Sequence, residues 1–214
     1  MLIAIFDLDG TLADTLYDLA DATNHGLIKL GYPTHPYESY KHFVGNGVKK
    51  LCERALPDDK KADTDTLLGY FSDYYGSHYL DKTKLYPHMK EALTILADNG
   101  VKLAIATNKP QDFARSIVKE LLPEFEFIKI LGGCSERPKK PDTAIISEIM
   151  AEVPDGNNTV FMIGDSNVDV ETAKNAGLHS IGCAWGFRGV DELKNAGADF
   201  IAETADDIPR FILR

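Results

Sequence analysis

Two aspartates, Asp7 and Asp9, follow directly on the apolar run Leu2–Phe6. The run is short and uninterrupted and leads into a Gly10-Thr11 turn, as is typical of a strand buried on both faces of a sheet. In open α/β sheets, ligands bind beyond the carboxyl ends of such strands. Two carboxylates there repel each other unless a cation lies between them, and oxygen ligands without His or Cys nearby suit Mg²⁺. The pair therefore predicts a magnesium site with a spare carboxylate that can attack phosphorus; an ordinary Asp-Gly turn is the alternative.

Polar residues that could bind phosphate follow two later apolar runs. Thr107 and Asn108 come after the run 101–106, and a phosphate oxygen can accept hydrogen bonds from the Thr107 hydroxyl and from nearby amides at a helix start. Lys140 belongs to the sequence Pro-Lys-Lys-Pro at 138–141. A lysine held between prolines loses less freedom on binding, and its ammonium is a compact phosphate partner. Taken singly, Thr107 is more simply a cap in a strand-to-helix turn, and two lysines in a loop are usually solvated.

A second acidic pair, Asp165 and Asp169, follows another apolar run. These carboxylates could complete the ligand shell of a magnesium ion held by Asp7, and Gly164 permits close approach of the backbone. The plain alternative is a helix N-cap at Asp165 or Ser166. Together, the four groups predict phosphoryl transfer: metal and lysine neutralise the phosphate, one carboxylate attacks and another moves a proton.

Composition narrows the class of partner. The chain has 214 residues and a formal net charge of −10, which disfavours nucleic acid or an anionic membrane as the main partner. No apolar run is long enough to span a bilayer, and the amino terminus lacks the features of a signal peptide. The three cysteines are far apart and form no metal or disulfide pattern, so we expect a cytoplasmic protein. From the phosphoryl-transfer residues we expect its partner to be a small phosphorylated metabolite. The sequence does not distinguish a monomer from a homodimer.

Short apolar runs alternate with amphipathic helical segments, which predicts an α/β fold with a doubly wound, Rossmann-like parallel sheet. The predicted strands are Leu2–Phe6, 101–107, 127–131, 159–163, 180–184 and 199–201. Between residues 15 and 82 no strand is apparent, and apolar residues recur at helical spacing. We therefore predict a catalytic core of residues 1–14 and 83–214. An inserted all-helical cap domain of residues 15–82 would follow the first strand, where it can act as a lid.

These motifs resemble those of the haloacid dehalogenase superfamily, and the resemblance covers nearly the whole chain. The superfamily's four motifs are matched, in order, by Asp-Leu-Asp-Gly-Thr-Leu at 7–12, Thr107-Asn108, Lys140-Pro141 and the segment 164–169. Dehalogenase members have a single aspartate in the first motif. The presence of Asp9 therefore implies a phosphatase or a phosphomutase.

The resemblance implies a role for each matched residue. Asp7 would be the nucleophile that forms an aspartyl-phosphate, and Asp9 would protonate the leaving alcohol and then activate water. Mg²⁺ would be held by Asp7, the backbone carbonyl of Asp9, and Asp165, while Asp169 would support this shell or orient the lysine. The transferring phosphoryl group would be bound by Gly10, Thr107, Asn108 and Lys140.

Less specific strings resemble phosphoglycolate phosphatases within the superfamily. They lie in the cap at 43–47 and 51–56, and near the carboxyl terminus at 184–187 and 196–200. The cap must choose the substrate, because the core motifs recognise only phosphate and metal. Gly45, Asn46 and Gly47 could begin a helix whose amides face a small carboxylate. Lys49 and Lys50 are nearby cations, but the plain interpretation of both is a solvated helix face. The resemblance thus implies 2-phosphoglycolate or a similarly small phosphate monoester as substrate.

Three other functions remain open from the sequence. A phosphomutase of the β-phosphoglucomutase type shares both core and cap, and pyrophosphatases and sugar-phosphate phosphatases have similar strings. A receiver-type phospho-acceptor module also uses Mg²⁺ and a phosphorylated aspartate on a doubly wound sheet. Such modules are shorter and lack a helical lid, so the segment 15–82 argues against that class.

Overall fold

The computed structural model describes residues 1–214 and places six parallel strands in one sheet. In chain order the strands are β1 (Leu2–Phe6), β2 (Ala13–Asp14), β3 (Lys84–Leu85), β4 (Lys102–Pro110), β5 (Phe127–Gly133), β6 (Thr159–Gly164), β7 (His179–Cys183) and β8 (Phe200–Ala202). The helices are α1 (Leu16–Lys29), α2 (Tyr37–Phe43), α3 (Val48–Ala55), α4 (Thr64–His78), α5 (Met89–Asp98), α6 (Gln111–Leu121), α7 (Ala144–Met150), α8 (Asn167–Ala176), α9 (Gly189–Ala196) and α10 (Asp207–Ile212), with a 3₁₀ turn at Asp58–Asp63.

The six strands lie in the order β5-β4-β1-β6-β7-β8. From β1 the chain moves outward through β4 to β5, then returns to β6 on the other side of β1. Phe6 at the end of β1 is in register with Ile105 of β4 and with Ile163 of β6. The residues that follow these three strands therefore meet at one edge of the sheet. A reversal of strand order of this kind is the switch point at which doubly wound folds bind ligands.

Burial on both faces explains the unbroken apolar run of β1. Ala4 and Phe6 pack into a cluster on one face, whereas Ile3 and Ile5 pack into a second cluster on the opposite face. Alternate side chains of a strand point to opposite faces, so a strand covered on both sides needs apolar residues throughout. The sheet is thus a rigid base for the polar residues that follow its strands.

Helices α1 to α4 form a separate helical layer with a hydrophobic cluster of its own. The cluster includes Tyr40, Phe71 and Tyr75, each of which is almost wholly buried. Phe187, which follows β7 in the sheet region, also belongs to this cluster. The helical layer is therefore packed against the loop side of the sheet.

A short antiparallel ribbon of β2 and β3 joins the helical layer to the sheet. Beside it, the buried carboxylate of Asp18 in α1 accepts four hydrogen bonds from the return segment, whose donors are the Lys82 amide and the Thr83 amide and hydroxyl. One Asp18 oxygen receives the Thr83 amide at 2.8 Å and the Thr83 hydroxyl at 2.7 Å. A single buried acid thus joins the two chain segments that connect the sheet to the helical layer, one before α1 and one after α4.

The predicted fold class is confirmed, including the parallel sheet and the inserted helices. Each predicted strand is present, with ends shifted by up to three residues; the largest shift is in β4, which continues to Pro110. The division into a core and a cap domain at residues 15–82 stays a prediction. No helix of the structure has both the length and the apolar character needed to cross a membrane.

Candidate active site

The polar residues at the switch point line one cavity between the sheet edge and the helical layer. Asp7 follows β1, Thr107 and Asn108 lie in the last part of β4, and Asp165 follows β6. From the helical layer the lining residues are Leu19, Val44, Gly45, Gly47, Val48 and Leu51. The sheet therefore supplies the charged groups of this cavity, and the helical layer supplies apolar side chains and glycines.

Three buried carboxylates converge below the cavity. One oxygen from each of Asp7, Asp165 and Asp169 lies within 4.8 Å of the others. Burial raises the pKa of Asp7 to about 6. The Lys140 ammonium lowers this pKa and the Asp169 carboxylate raises it, but burial has the largest effect. Burial and the neighbouring carboxylates Asp169 and Asp7 also raise the pKa of Asp165 well above its usual value. Such a concentration of buried negative charge is costly without a cation, and its all-oxygen donors fit Mg²⁺.

Lys140 is buried against this acidic cluster. Its ammonium lies 2.6 Å from Oδ1 of Asp169 and 3.2 Å from Oδ1 of Asp7. Burial alone would lower the pKa of Lys140, but the two carboxylates raise it above its usual value. Asp169 also accepts hydrogen bonds through Oδ2 from the Ser166 amide and hydroxyl, forming a capping box at the start of α8. Asp169 therefore orients the lysine and caps a helix at the same time.

Asp9 lies beside the acidic cluster but its side chain points elsewhere. The Thr15 hydroxyl donates to Oδ1 of Asp9 at 2.7 Å, and the Lys109 ammonium lies 3.0 Å from the same oxygen. Lys109 also donates to the Tyr75 hydroxyl of α4 at 2.8 Å. Asp9 is thus held by Thr15, directly before α1, and by Lys109, which in turn contacts α4. Any contribution of Asp9 to a metal site would come from its backbone carbonyl.

Asn108 bridges three parts of the site. Its Oδ1 accepts from the Lys140 amide at 2.9 Å, and its Nδ2 donates to the Lys140 carbonyl at 3.2 Å and to the Gly45 carbonyl at 3.0 Å. Both polar atoms of the Asn108 side chain are therefore engaged with backbone groups. The neighbouring Thr107 hydroxyl accepts from the Lys109 amide, and its hydrogen bond to Asp7 lowers the pKa of that carboxyl.

Two glycines permit the close packing of this site. A Cβ at Gly10, where φ is +81°, would collide with the Asp165 carboxylate, and one at Gly164 would collide with Asp169. The Gly10 amide donates to the Ala13 carbonyl at 2.9 Å, inside its own loop. Gly10 therefore lies against the acidic cluster, but its amide is engaged away from the cavity.

The loop before α3 places only two of its three predicted residues in the cavity. Gly45 and Gly47 line the cavity, whereas the Asn46 side chain accepts from Nη2 of Arg54 at 2.7 Å. Lys49 pairs with Asp65 and Lys50 with Glu53, and both lysines are largely exposed. Both lysines therefore lie on a solvated helix face outside the cavity, which was their plain interpretation from the sequence.

Sequence reasoning missed four residues at the site: Lys109, Tyr75, Phe187 and Arg188. The Phe187 amide donates to Oδ2 of Asp165 at 2.7 Å, and Arg188 follows it on the cavity wall. Two signals were available: Lys109 directly follows the Thr107-Asn108 motif, and Phe187 ends the string at 184–187 that resembles phosphoglycolate phosphatases. The contacts of Tyr75 and Arg188 join residues far apart in the chain and leave no local pattern.

The structure combines a doubly wound sheet with helices inserted after its first strand. Acids and a lysine lie at its switch point, which is where α/β enzymes of this architecture bind their ligands. A family model described as haloacid dehalogenase-like hydrolase matches residues 4–183. The chain belongs to this family.

Curated relatives and solved structures agree with this assignment. The phosphoglycolate phosphatase of Vibrio parahaemolyticus serotype O3:K6 is 32% identical over 210 residues, which cover 95% of this chain and 92% of that protein. The phosphoglycolate phosphatase of Colwellia psychrerythraea is 34% identical over 213 residues, which cover 96% of this chain and 94% of that protein. A crystal structure from Lactobacillus delbrueckii subsp. bulgaricus has a TM-score of 0.91 at 31% identity, covering 98% of this chain and 97% of that one. The predictions of the superfamily and of a phosphoric monoester hydrolase are confirmed.

Proposed function

We propose that the chain is a Mg²⁺-dependent phosphatase that hydrolyses a small phosphate monoester, with 2-phosphoglycolate as its substrate, through an aspartyl-phosphate on Asp7. The observation that carries the proposal is the placement of Asp7 at the end of the central strand, among two further acids and the ammonium of Lys140. The curated relatives that match nearly the whole chain are named phosphoglycolate phosphatases, which supports the choice of substrate.

The acidic cluster suits the metal that this chemistry requires. Asp7, Asp165 and the backbone carbonyl of Asp9 would hold Mg²⁺, and Asp169 would support the shell. When bound, the ion supplies positive charge that neutralises the phosphoryl oxygens and keeps Asp7 ionised. The raised pKa values of Asp7 and Asp165 support this assignment, because both carboxylates gain most from a nearby cation.

The phosphoryl group would lie between the acidic cluster and the end of β4. The Thr107 hydroxyl, the main chain of Asn108 and the Lys140 ammonium would bind its oxygens. Lys140 is fixed by Asp169, so little side-chain entropy would be lost when it binds a phosphate. Gly10 would act by permitting the first motif to pack against Asp165.

Asp9 would carry the proton. As a general acid it would protonate the leaving alkoxide of glycolate, and as a general base it would then take a proton from the water that attacks the aspartyl-phosphate. The Lys109 ammonium and the Thr15 hydroxyl hold the carboxylate of Asp9 at the cavity and would fix its position through both steps. Residues 15–82 would act as a cap that excludes water from the first step and delivers Tyr75 to Lys109.

A phosphate-release assay on a panel of small phosphate compounds tests the proposal. We expect 2-phosphoglycolate to have the highest kcat/KM and activity to be lost in EDTA and restored by Mg²⁺. Faster hydrolysis of pyrophosphate or of a hexose phosphate would contradict the substrate assignment, as would isomerisation of β-glucose 1-phosphate without phosphate release. A phosphoprotein that persists for minutes without turnover would favour a receiver-type module instead.

A further inference from the structure

The cavity contains one cation that the phosphoryl chemistry does not use. The lysine and arginine residues that line the cavity are Lys109 and Arg188. Lys109 is paired with Asp9 at 3.0 Å. Arg188 lies 3.9 Å from its nearest carboxylate, that of Glu192, which is beyond hydrogen-bond distance. The Glu192 carboxylate itself accepts from the Asn167 amide. Arg188 therefore forms one long ion pair with Glu192 and has no hydrogen-bonded carboxylate partner.

The guanidinium of Arg188 has unused donor capacity. Its one hydrogen bond runs from Nη2 to the Val44 carbonyl at 2.8 Å, and its side chain is 13% exposed. A guanidinium carries five N–H donors in a planar fork that matches a carboxylate. Arg188 lines the cavity, and its remaining donors have no hydrogen-bond acceptor in the structure, so a second anionic group of a ligand could accept from them.

The loop that carries Arg188 is fixed to the catalytic edge of the sheet. The Phe187 amide donates to Asp165 at 2.7 Å, and the Trp185 indole donates to the Thr11 carbonyl at 3.1 Å. A Cβ at Gly186 would collide with Asp165, so this loop lies directly on the acidic cluster. Arg188 itself is also tied to the helical layer through its hydrogen bond to the Val44 carbonyl, so its position depends on both the core and that layer.

The wall of the cavity formed by the helical layer has no charged side chain of its own. Its side chains are apolar or absent: Leu19, Val44, Gly45, Gly47, Val48 and Leu51. Besides Arg188, Lys139 of the core contacts this wall, and its ammonium donates to the Asn46 carbonyl at 3.2 Å. Lys49 and Lys50 form surface pairs with Asp65 and Glu53. A second anion on the substrate would find its cationic partner only on the core side.

We propose that Arg188 is a specificity-determining residue that binds the carboxylate of the substrate, so that the site selects phosphate monoesters of small hydroxy acids over uncharged esters of the same length. This inference rests on the proposed phosphatase function and goes beyond it by assigning the carboxylate to one residue of the core. It places substrate choice partly in the loop after β7, whereas the sequence had assigned it to the cap.

The test compares two substrates that differ in one group, 2-phosphoglycolate and 2-hydroxyethyl phosphate. Arg188→Met should lower kcat/KM for 2-phosphoglycolate about 10- to 100-fold, mainly through KM, because one or two charge-assisted hydrogen bonds are lost. The loss for 2-hydroxyethyl phosphate should be at least about tenfold smaller. Arg188→Lys keeps the charge without the fork and should recover part of the discrimination. Arg210→Met, at a largely exposed residue of α10, is the matched control and should change neither value.

Equal losses on both substrates in Arg188→Met would show that Arg188 only ties the loop to the Val44 carbonyl, and would overturn the inference alone. Unchanged kinetics on both substrates would overturn it as well. If the unmodified protein releases phosphate from neither substrate, the proposed function fails and the inference fails with it. The wild-type assay therefore separates the two claims.

Discussion

Lys109 lies between Asp9 and Tyr75, 3.0 Å from the carboxylate of the first and 2.8 Å from the hydroxyl of the second. Asp9 belongs to the first motif of the core, whereas Tyr75 belongs to α4 of the helical layer. The proposed acid–base residue is therefore in indirect contact with the element that would close over the substrate. Burial of Lys109 would lower its pKa, but Asp9 and Tyr75 raise it above the usual value, so the lysine stays charged in this setting.

Replacing Lys109 by Met should lower kcat about 10- to 100-fold and change KM less than about threefold, because the lysine positions the proton carrier and does not contact phosphate. Tyr75→Phe should give a smaller loss, about 3- to 10-fold, since one hydrogen bond to the lysine is removed. Steady-state kinetics measure both, with circular dichroism to establish folding. A Lys109→Met protein with wild-type kcat would contradict this role.

Asp18 should contribute to stability far more than Asp21, a partly exposed aspartate on the same helix. Asp18→Ala leaves the Lys82 and Thr83 donors without a buried acceptor and should cost about 2–4 kcal/mol in the free energy of unfolding. Asp21→Ala removes a partly exposed pair with Lys82 and should cost less than about 1 kcal/mol. Urea denaturation midpoints compare the two variants. Equal costs would show that the Asp18 contacts add little to the fold.

The acidic cluster should make the metal-free protein less stable as the pH rises. Burial raises the pKa of Asp7 to about 6 from its usual 3.8. Between these values the folded protein binds more protons than the unfolded chain, so the contribution of Asp7 to stability is lost as the pH rises through that range. Asp165, whose pKa burial also raises, acts in the same direction. Added Mg²⁺ should reverse the effect and raise the Tm at pH 7.5.

Asp165→Asn isolates this effect, because an asparagine can still accept the Phe187 amide. In EDTA at pH 7.5 its Tm should exceed that of the wild type by roughly 2–4 °C, which corresponds to about 1 kcal/mol for a chain of this size. The difference should shrink at pH 5, and Mg²⁺ should raise the Tm of the variant little. A variant that is less stable in EDTA, or that responds to Mg²⁺ as the wild type does, would contradict a metal site here.

The sheet was predictable because its strands are buried on both faces. Continuous apolar runs such as Leu2–Phe6 carry that signal locally, and the polar residues after them mark the ligand edge. Order along the chain was enough to place Asp7, Thr107 and Asp165 together, since their strands end level with one another. Helix ends were less well determined: α1 ends at Lys29, although the Gly-Tyr-Pro stop signal lies at 31–33.

Contacts across the chain were not predictable. Asn108 was expected to bind phosphate, yet its side chain joins the Lys140 backbone to the Gly45 carbonyl. Such outcomes depend on which side chains the folded chain brings within hydrogen-bond distance, and a single sequence carries no pattern for that.

The central claim is that Asp7 accepts the phosphoryl group covalently. In Asp9→Asn the second step should be slowed, so that incubation with 2-phosphoglycolate and Mg²⁺ followed by acid quenching leaves one phosphoryl group on the peptide containing Asp7, seen by mass spectrometry. Asp7→Asn should fold normally, show no such label and release no phosphate. A labelled peptide elsewhere, or full turnover by Asp7→Asn, would contradict the account.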